Sequence, residues 1–157
     1  MVGRVEAVWE KQDQDGLPPV RKDAIELVAG KGVVGDRHFG NRKGRQVLLV
    51  ESGCLQELGL QPGDLREQVT VSFDGLQDLT SGTQLKLGNA ALEITGDCPP
   101  CRSMAGYLGE DPKEFVPRAM RKRGMLGVVV AGGRVKDGDE VVIFQQSEPS
   151  DASDTLD

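Results

Sequence analysis

A chain of 157 residues, 38% hydrophobic and 28% charged, is long enough for one domain that buries roughly 70% of its unfolded surface. A net charge of −6 and few aromatic residues (four Phe, one Trp, one Tyr) exclude the basic, ring-bearing surface of a general nucleic-acid binder. Three cysteines, an odd number, exclude a secreted disulfide framework.

The charge is unevenly spread. Glu148, Asp151, Asp154 and Asp157 lie in the last eleven residues without a single base, so the rest of the chain is nearly neutral. A folded domain over 1–146 followed by an acidic, disordered tail over 147–157 is expected. The sequence shows no charged-then-apolar leader and no apolar run near the length of a membrane span. A cytoplasmic protein with no membrane partner and with reduced thiols follows as the expectation.

In chain order, Val5, Ala7 and Trp9 alternate as a strand, and a polar turn at Gln12–Gly16 follows. Ile25 and Leu27 mark a second strand. The stretch from Gly30 to Gly40 reads as a loop with four glycines and the only histidine, His38. It lacks the Lys-Ser or Lys-Thr ending of a phosphate-binding P-loop. Val47 to Val50 is a short buried strand that passes into a helix near Glu51–Leu58, stopped by Gly59 with Pro62 beyond.

Val69, Val71 and Phe73 alternate within Glu67–Phe73. Leu85 and Leu87 mark another strand, and Gly88-Asn89 predicts a two-residue hairpin turn into Ala90–Thr95. Cys98-Pro99-Pro100-Cys101 then reads as a stiff corner, because two prolines fix two φ angles. Ser103–Gly109, with two glycines, predicts no good helix. Asp111-Pro112-Lys113-Glu114 has the cap, first-position proline and acid of a helix start, with Pro117 interrupting that helix or opening a second one up to Gly124. Leu126–Ala131 and Val141–Phe144 close the chain as strands. Seven or eight short strands with frequent turns predict a mainly β fold, a closed barrel with a few short helices inserted.

The thiol pair is the centre of chemistry. A thiolate is the reactive and metal-binding form, favoured by a nearby cation, and Arg102 follows Cys101 directly. Cys101 as thiolate suits a soft metal site or an extra sulfur held as a persulfide. Cys98 and Cys101 also have the spacing of a disulfide redox pair. A zinc site would need His38 and Cys54 to converge on them; Cys54, beside Leu55 and Leu58, reads instead as core. The bases fall in two blocks, Arg37, Arg42, Lys43 and Arg45, then Arg118, Arg121, Lys122 and Arg123. Either they are solvated charge or one of them grips phosphate.

Gly35-Asp36-Arg37-His38, Arg45–Leu49, Pro62–Glu67, Leu79–Thr83, Cys98–Cys101 and Gly127 to Asp139, in this order, resemble a MOSC domain, the C-terminal domain of molybdenum-cofactor sulfurases that also stands alone in small bacterial proteins. The resemblance runs from about Val2 to Phe144. It implies a β-barrel that binds molybdenum cofactor (molybdopterin with Mo). Pro100-Cys101 matches the family's proline-cysteine hallmark, so Cys101 inherits the role of metal ligand or persulfide carrier, with His38 beside it as a catalytic residue. Asp36, Arg37, Glu67, Gln68, Cys98 and Arg102 would line the cofactor pocket, and Arg121 and Arg123 would hold its phosphate. Gln68 stands where many members carry the shorter Asn. The sequence shows no module to make sulfur or supply electrons. The resemblance therefore implies partners: a pyridoxal-phosphate-dependent cysteine desulfurase, a molybdoenzyme that receives the cofactor, or an external electron-transfer protein for reducing N-hydroxylated compounds. The alternatives are a cofactor-free thiol–disulfide module and a non-catalytic delivery protein.

Overall fold

The computed structural model describes residues 2–14, 16–41 and 44–145. The expected acidic tail, and Arg42 and Lys43 of the first basic block, lie outside the described residues. Eleven strands, three short α-helices and one 3-10 turn are present among them. β1 (Val2–Glu10), β5 (Val47–Glu51), β6 (Val69–Ser72), β7 (Gln84–Leu87), β8 (Ala90–Asp97), β9 (Met125–Ala131) and β11 (Glu140–Gln145) form a ring in the order β11-β7-β8-β9-β5-β6-β1, closed by pairing of β1 with β11. Closure leaves the ring no unpaired edge. The fold is the mainly β, closed barrel that the strand pattern predicts.

β1 changes partner along its length. Val2–Arg4 pair with β11, Arg4–Val8 with β6, and Val8–Glu10 with the short β2 (Val20–Lys22). A register shift between Val5 and Ala7 breaks the simple alternation, so Val8 is buried together with Val5 and Ala7, while Trp9 is half-buried. β3 (Ala24–Val28) turns Ile25 and Leu27 inward as expected, but it leaves the ring and pairs with β4 (Gly32–Val33) and β10 (Gly133–Lys136) in a small second sheet.

The run Val47–Val50 is apolar on both faces because it separates two cores. Val47 and Leu49 face the barrel interior with Val69, Leu92, Ile94 and Met125. Leu48 and Val50 face a second core, built with Leu55 of α1 (Ser52–Glu57), Met104 and Ala105 of α2 (Arg102–Leu108), and Phe115 and Ala119 of α3 (Pro112–Ala119). β5 and β6 run parallel, so the chain between them must cross over, and α1 makes the start of that crossover.

Three local expectations are corrected. The residues after Cys101 do form a helix, α2, in spite of Gly106. Burial of Met104 and Ala105 outweighs the roughly 1 kcal/mol that a helical glycine costs, and Gly109 at φ 73 closes the helix in the left-handed conformation. Pro117 neither ends α3 nor opens a new helix: it lies inside α3, which is capped by Asp111 and stops at Ala119. Cys98 to Cys101 is not a corner, since it carries neither turn nor bend. Each residue before a proline is pushed to extended backbone, and here two successive positions are. No helix among the described residues is long and apolar enough to cross a membrane.

Candidate functional site

Three segments meet at one end of β1. The first is the loop after β4. Asp36 is buried there, and its carboxylate accepts from the backbone N–H of Lys11 (2.6 Å), the backbone N–H of His38 (2.9 Å) and the side-chain amide of Gln68 (3.1 Å). The Arg37 N–H donates back to the Lys11 carbonyl at 3.2 Å. Asp36 is therefore a hub that ties loop, strand and middle motif together. The side chains of Arg37, His38 and Lys11 then stand on one wall.

The second segment precedes β6. Gly63, at φ 89, packs against the Trp9 ring so closely that an added Cβ would lie 2.7 Å from Cη2. Arg66 adopts a left-handed backbone (φ 62), and its guanidinium lies over the Tyr107 ring at 4.9 Å from the centroid. Glu67 is fully buried. One of its carboxylate oxygens accepts from Gly63 N–H at 2.9 Å and from the Thr70 hydroxyl at 2.6 Å. Burial raises its pKa, against the opposing pull of those hydrogen bonds and of Arg123. Gln68 accepts from the Leu48 N–H at 2.7 Å while donating to Asp36, so both ends of its amide are engaged.

The third segment holds the sulfurs. Cys98 is buried against the second core, and Cys101 is exposed. Arg123, 8% exposed, arrives from the loop between α3 and β9. Burial lowers its pKa, while Cys98, Cys101 and Glu67 act in the opposite direction.

Between these segments opens a cleft of about 300 Å³ lined by Lys11, Arg37, His38, Arg66, Cys101 and Arg123, with Ser103, Met104 and Tyr107 completing its wall. A recess of about 50 Å³ shares Lys11, His38 and Arg123 with it and reaches Cys98, Gln68 and Arg45. Among the described residues, neither cavity has a carboxylate on its wall. Burial and the neighbouring Arg123 push the Lys11 ammonium down to about 8, against Asp36. Burial and Lys11 lower the His38 pKa from 6.5, so its imidazole is neutral at neutral pH.

Arg37, His38, Cys101 and Arg123 thus share the outer cleft, and Gln68 and Cys98 line the recess. Asp36 and Glu67 line neither cavity and act from behind the wall. Arg102 is exposed and lines no described cavity; Arg123 is the cation beside the sulfurs. Arg121 faces elsewhere, paired with Asp78 at 2.7 Å in a separate cleft that also holds the half-buried Cys54. Lys11, Arg66 and Tyr107 are site residues that the sequence reading passed over. Arg66 lies within the Pro62–Glu67 motif and had a signal; Lys11 had none, since it is brought here by hydrogen bonds with the distant Asp36 loop.

The closed seven-strand barrel defines a class, and the comparisons agree with it. The MOSC domain model matches residues 34–142, and the chain belongs to the MOSC domain family. Among solved structures, the YUAD protein of Bacillus subtilis superposes with a TM-score of 0.78 at 24% identity, covering 94% of this chain and 98% of that one. YiiM of Geobacillus stearothermophilus follows at 0.70 and 14% identity (91% and 75% covered), and YiiM of Escherichia coli at 0.69 and 15% (92% and 71%). At these identities the likeness is one of fold. Among curated proteins no sequence match was found.

Proposed function

We propose that this protein binds molybdenum cofactor, or a sulfurated form of it, in the cationic cleft, with Cys101 as the thiolate that ligates the metal or carries sulfur to it. The observation that carries this reading is the pairing of an exposed thiol with a buried arginine in one cleft. The Nε and Nη1 groups of Arg123 and the Nε of Arg66 are buried without a hydrogen-bond partner. Buried guanidinium N–H groups left unpaired are costly, and an anionic ligand would satisfy them. Donors on every polar wall and a soft sulfur at the lip fit a phosphate-bearing group with a thiophilic metal. When bound, the cofactor supplies a molybdenum centre held by a pterin dithiolene. Arg123, Arg66 and Lys11 would hold its anionic parts. His38, neutral at neutral pH, would accept or return a proton beside it.

Exposure of Cys101 lets a partner's thiol reach it. In this reading the partner is a pyridoxal-phosphate-dependent cysteine desulfurase for sulfur loading, or a molybdoenzyme for cofactor delivery. Reduction of N-hydroxylated compounds would draw electrons from an external electron-transfer protein. A Cys98–Cys101 disulfide is the less favoured use of the pair. A three-residue extended proline segment spans about 9 Å, whereas a disulfide needs Cα atoms within about 7 Å.

The test is molybdenum content after anaerobic mixing with free cofactor and desalting. Wild type and Cys98→Ser should retain stoichiometric molybdenum, and Cys101→Ser should lose it. Equal retention by Cys101→Ser would overturn the assignment.

A further inference from the structure

We propose that Cys101 takes sulfane sulfur directly from a small inorganic dianion of the thiosulfate type, with Arg123 and Arg66 holding the sulfonate end. The inference rests on the reading of Cys101 as a sulfur-accepting thiol, but not on molybdenum. Three features of the cleft carry it. The nucleophile is exposed and its near neighbour Cys98 sits in the recess behind it, so a small donor reaches Cys101 first. The polar lining of the cleft around that sulfur includes Lys11, Arg37, His38, Arg66, Ser103 and Arg123, with no carboxylate among the described residues. Arg123, a side chain more than nine-tenths buried, and Arg66 carry N–H groups without a hydrogen-bond partner, and the buried Oε1 of Glu67 behind the wall lacks one as well. A sulfonate presents three oxygens on one tetrahedral end and a transferable sulfur on the other. That shape matches a site with donors on its inner walls and a thiol at its lip.

The step balances without any outside oxidant or reductant. The Cys101 thiolate attacks the outer sulfur of thiosulfate, a Sγ–S bond forms, and the bond from that sulfur to the sulfonate breaks. Sulfite leaves with the electron pair. One monoanion and one dianion give one monoanionic persulfide and one dianion. A thiophilic acceptor, cyanide in the assay, then takes the outer sulfur and restores the thiolate. The negative charge that builds on the leaving sulfite falls where the arginines are, which is where preorganised donors lower a barrier.

The experiment uses the full chain, reduced and anaerobic, with thiosulfate labelled at its outer sulfur. The expected result is one labelled sulfur on Cys101 by peptide mass, one sulfite released, and thiocyanate on adding cyanide. Cys54→Ser, in the separate cleft, should load like wild type, and Cys101→Ser should not load. Arg123→Gln should load roughly a hundredfold more slowly, as expected for loss of one preorganised donor group, and Arg123→Lys should recover part of the rate. In wild type, sulfite should slow alkylation of Cys101 by iodoacetamide, a readout that does not depend on the folding of any variant. Thiosulfate that leaves Cys101 unlabelled while iodoacetamide alkylates it would overturn the proposal, as would label on Cys54 or Cys98 instead. The two readings separate cleanly. Sulfur loading by a protein that retains no molybdenum upholds this inference and sinks the cofactor assignment, and molybdenum retention without loading does the reverse.

Discussion

The backbone N–H of Cys98 donates to the carbonyl of Gly124 at 2.9 Å, which ties the thiol segment to the loop that presents Arg123. Gln77 locks the same glycine from the other side. Its side-chain amide donates to the Gly124 carbonyl at 2.9 Å and accepts from the Gly124 N–H at 3.2 Å, and it also donates to the Asp97 carboxylate. Gln77 lies in the 3-10 turn Leu76–Asp78 and lines no part of the cationic cleft, so its influence on the site is through position alone.

Replacing Gln77 by Ala should therefore cost about 1–3 kcal/mol of stability, from two or three lost hydrogen bonds at about 1 kcal/mol each. It should also slow alkylation of Cys101 at pH 7, because Arg123 loses its fixed place. Gln77→Glu keeps the acceptor for the Gly124 N–H but sets a carboxylate against Asp97 and the Gly124 carbonyl, and should be at least as destabilising as Ala. Urea melts and iodoacetamide rates measure both effects. Unchanged alkylation in Gln77→Ala, with lowered stability, would reduce Gln77 to a purely structural strut.

Lys11 gives the site a pH dependence with a definite sign. Its pKa is lowered from 10.5 to about 8 by burial first and by Arg123 second. Below about 8 it is a cation and supports anion binding; above it the charge is lost, so affinity for inorganic phosphate or sulfite should fall as pH rises through about 8. The effect on stability runs the other way. The unfolded chain keeps this proton up to about 10.5, so between about 8 and 10.5 the unfolded state binds more protons and the contribution of Lys11 to stability rises with pH. Lys11→Met should remove both trends. Titration calorimetry across pH 6.5–9.5, for wild type and variant, is the check.

Gln68 lines the recess and also spans two segments. It reaches from the Leu48 N–H to the Asp36 carboxylate, 2.7 and 3.1 Å away. Asn is one methylene shorter and cannot keep both contacts, so Gln68→Asn should cost about 1–3 kcal/mol for the buried group left unpaired. The loop carrying His38 should become more open to amide hydrogen exchange. A variant as stable as wild type would mean the site tolerates the shorter amide by moving Asp36.

Gly63→Ala is expected to be among the more damaging single methyl additions. The position needs φ 89, and its Cβ would meet the Trp9 ring at 2.7 Å. Left-handed strain alone costs about 1–3 kcal/mol, and the ring must also shift. Trp9 is the only tryptophan, so its fluorescence reports the displacement directly and a denaturant melt reports the energy.

Much of the molecule is legible in local pattern. Alternation in Glu67–Phe73 and in the Gly88-Asn89 hairpin marks strands because side-chain direction repeats every two residues, which needs no knowledge of the partner strand. The helix after Cys101 escaped that logic because its stability comes from Met104 and Ala105 meeting a core assembled from distant segments. The two arginines of the second basic block make the same point. Arg121 and Arg123 are two residues apart and look equivalent in sequence. The left-handed backbone at Arg121 (φ 61) helps send its side chain toward Asp78, while Arg123 is drawn under the sulfurs.

By itself the sequence determined the barrel-forming strands, the proline-borne thiol and the glycine-flanked histidine, since each depends on residues adjacent in the chain. Only the tertiary structure decided which cations share a cleft with Cys101. Lys11, Arg66 and Arg123 are carried there by three separate segments, and their mutual repulsion is tolerated because barrel closure and the hydrogen bonds of Asp36, Gln68 and Gln77 hold the backbone in place. That convergence is a long-range property, fixed by packing and not by any local preference.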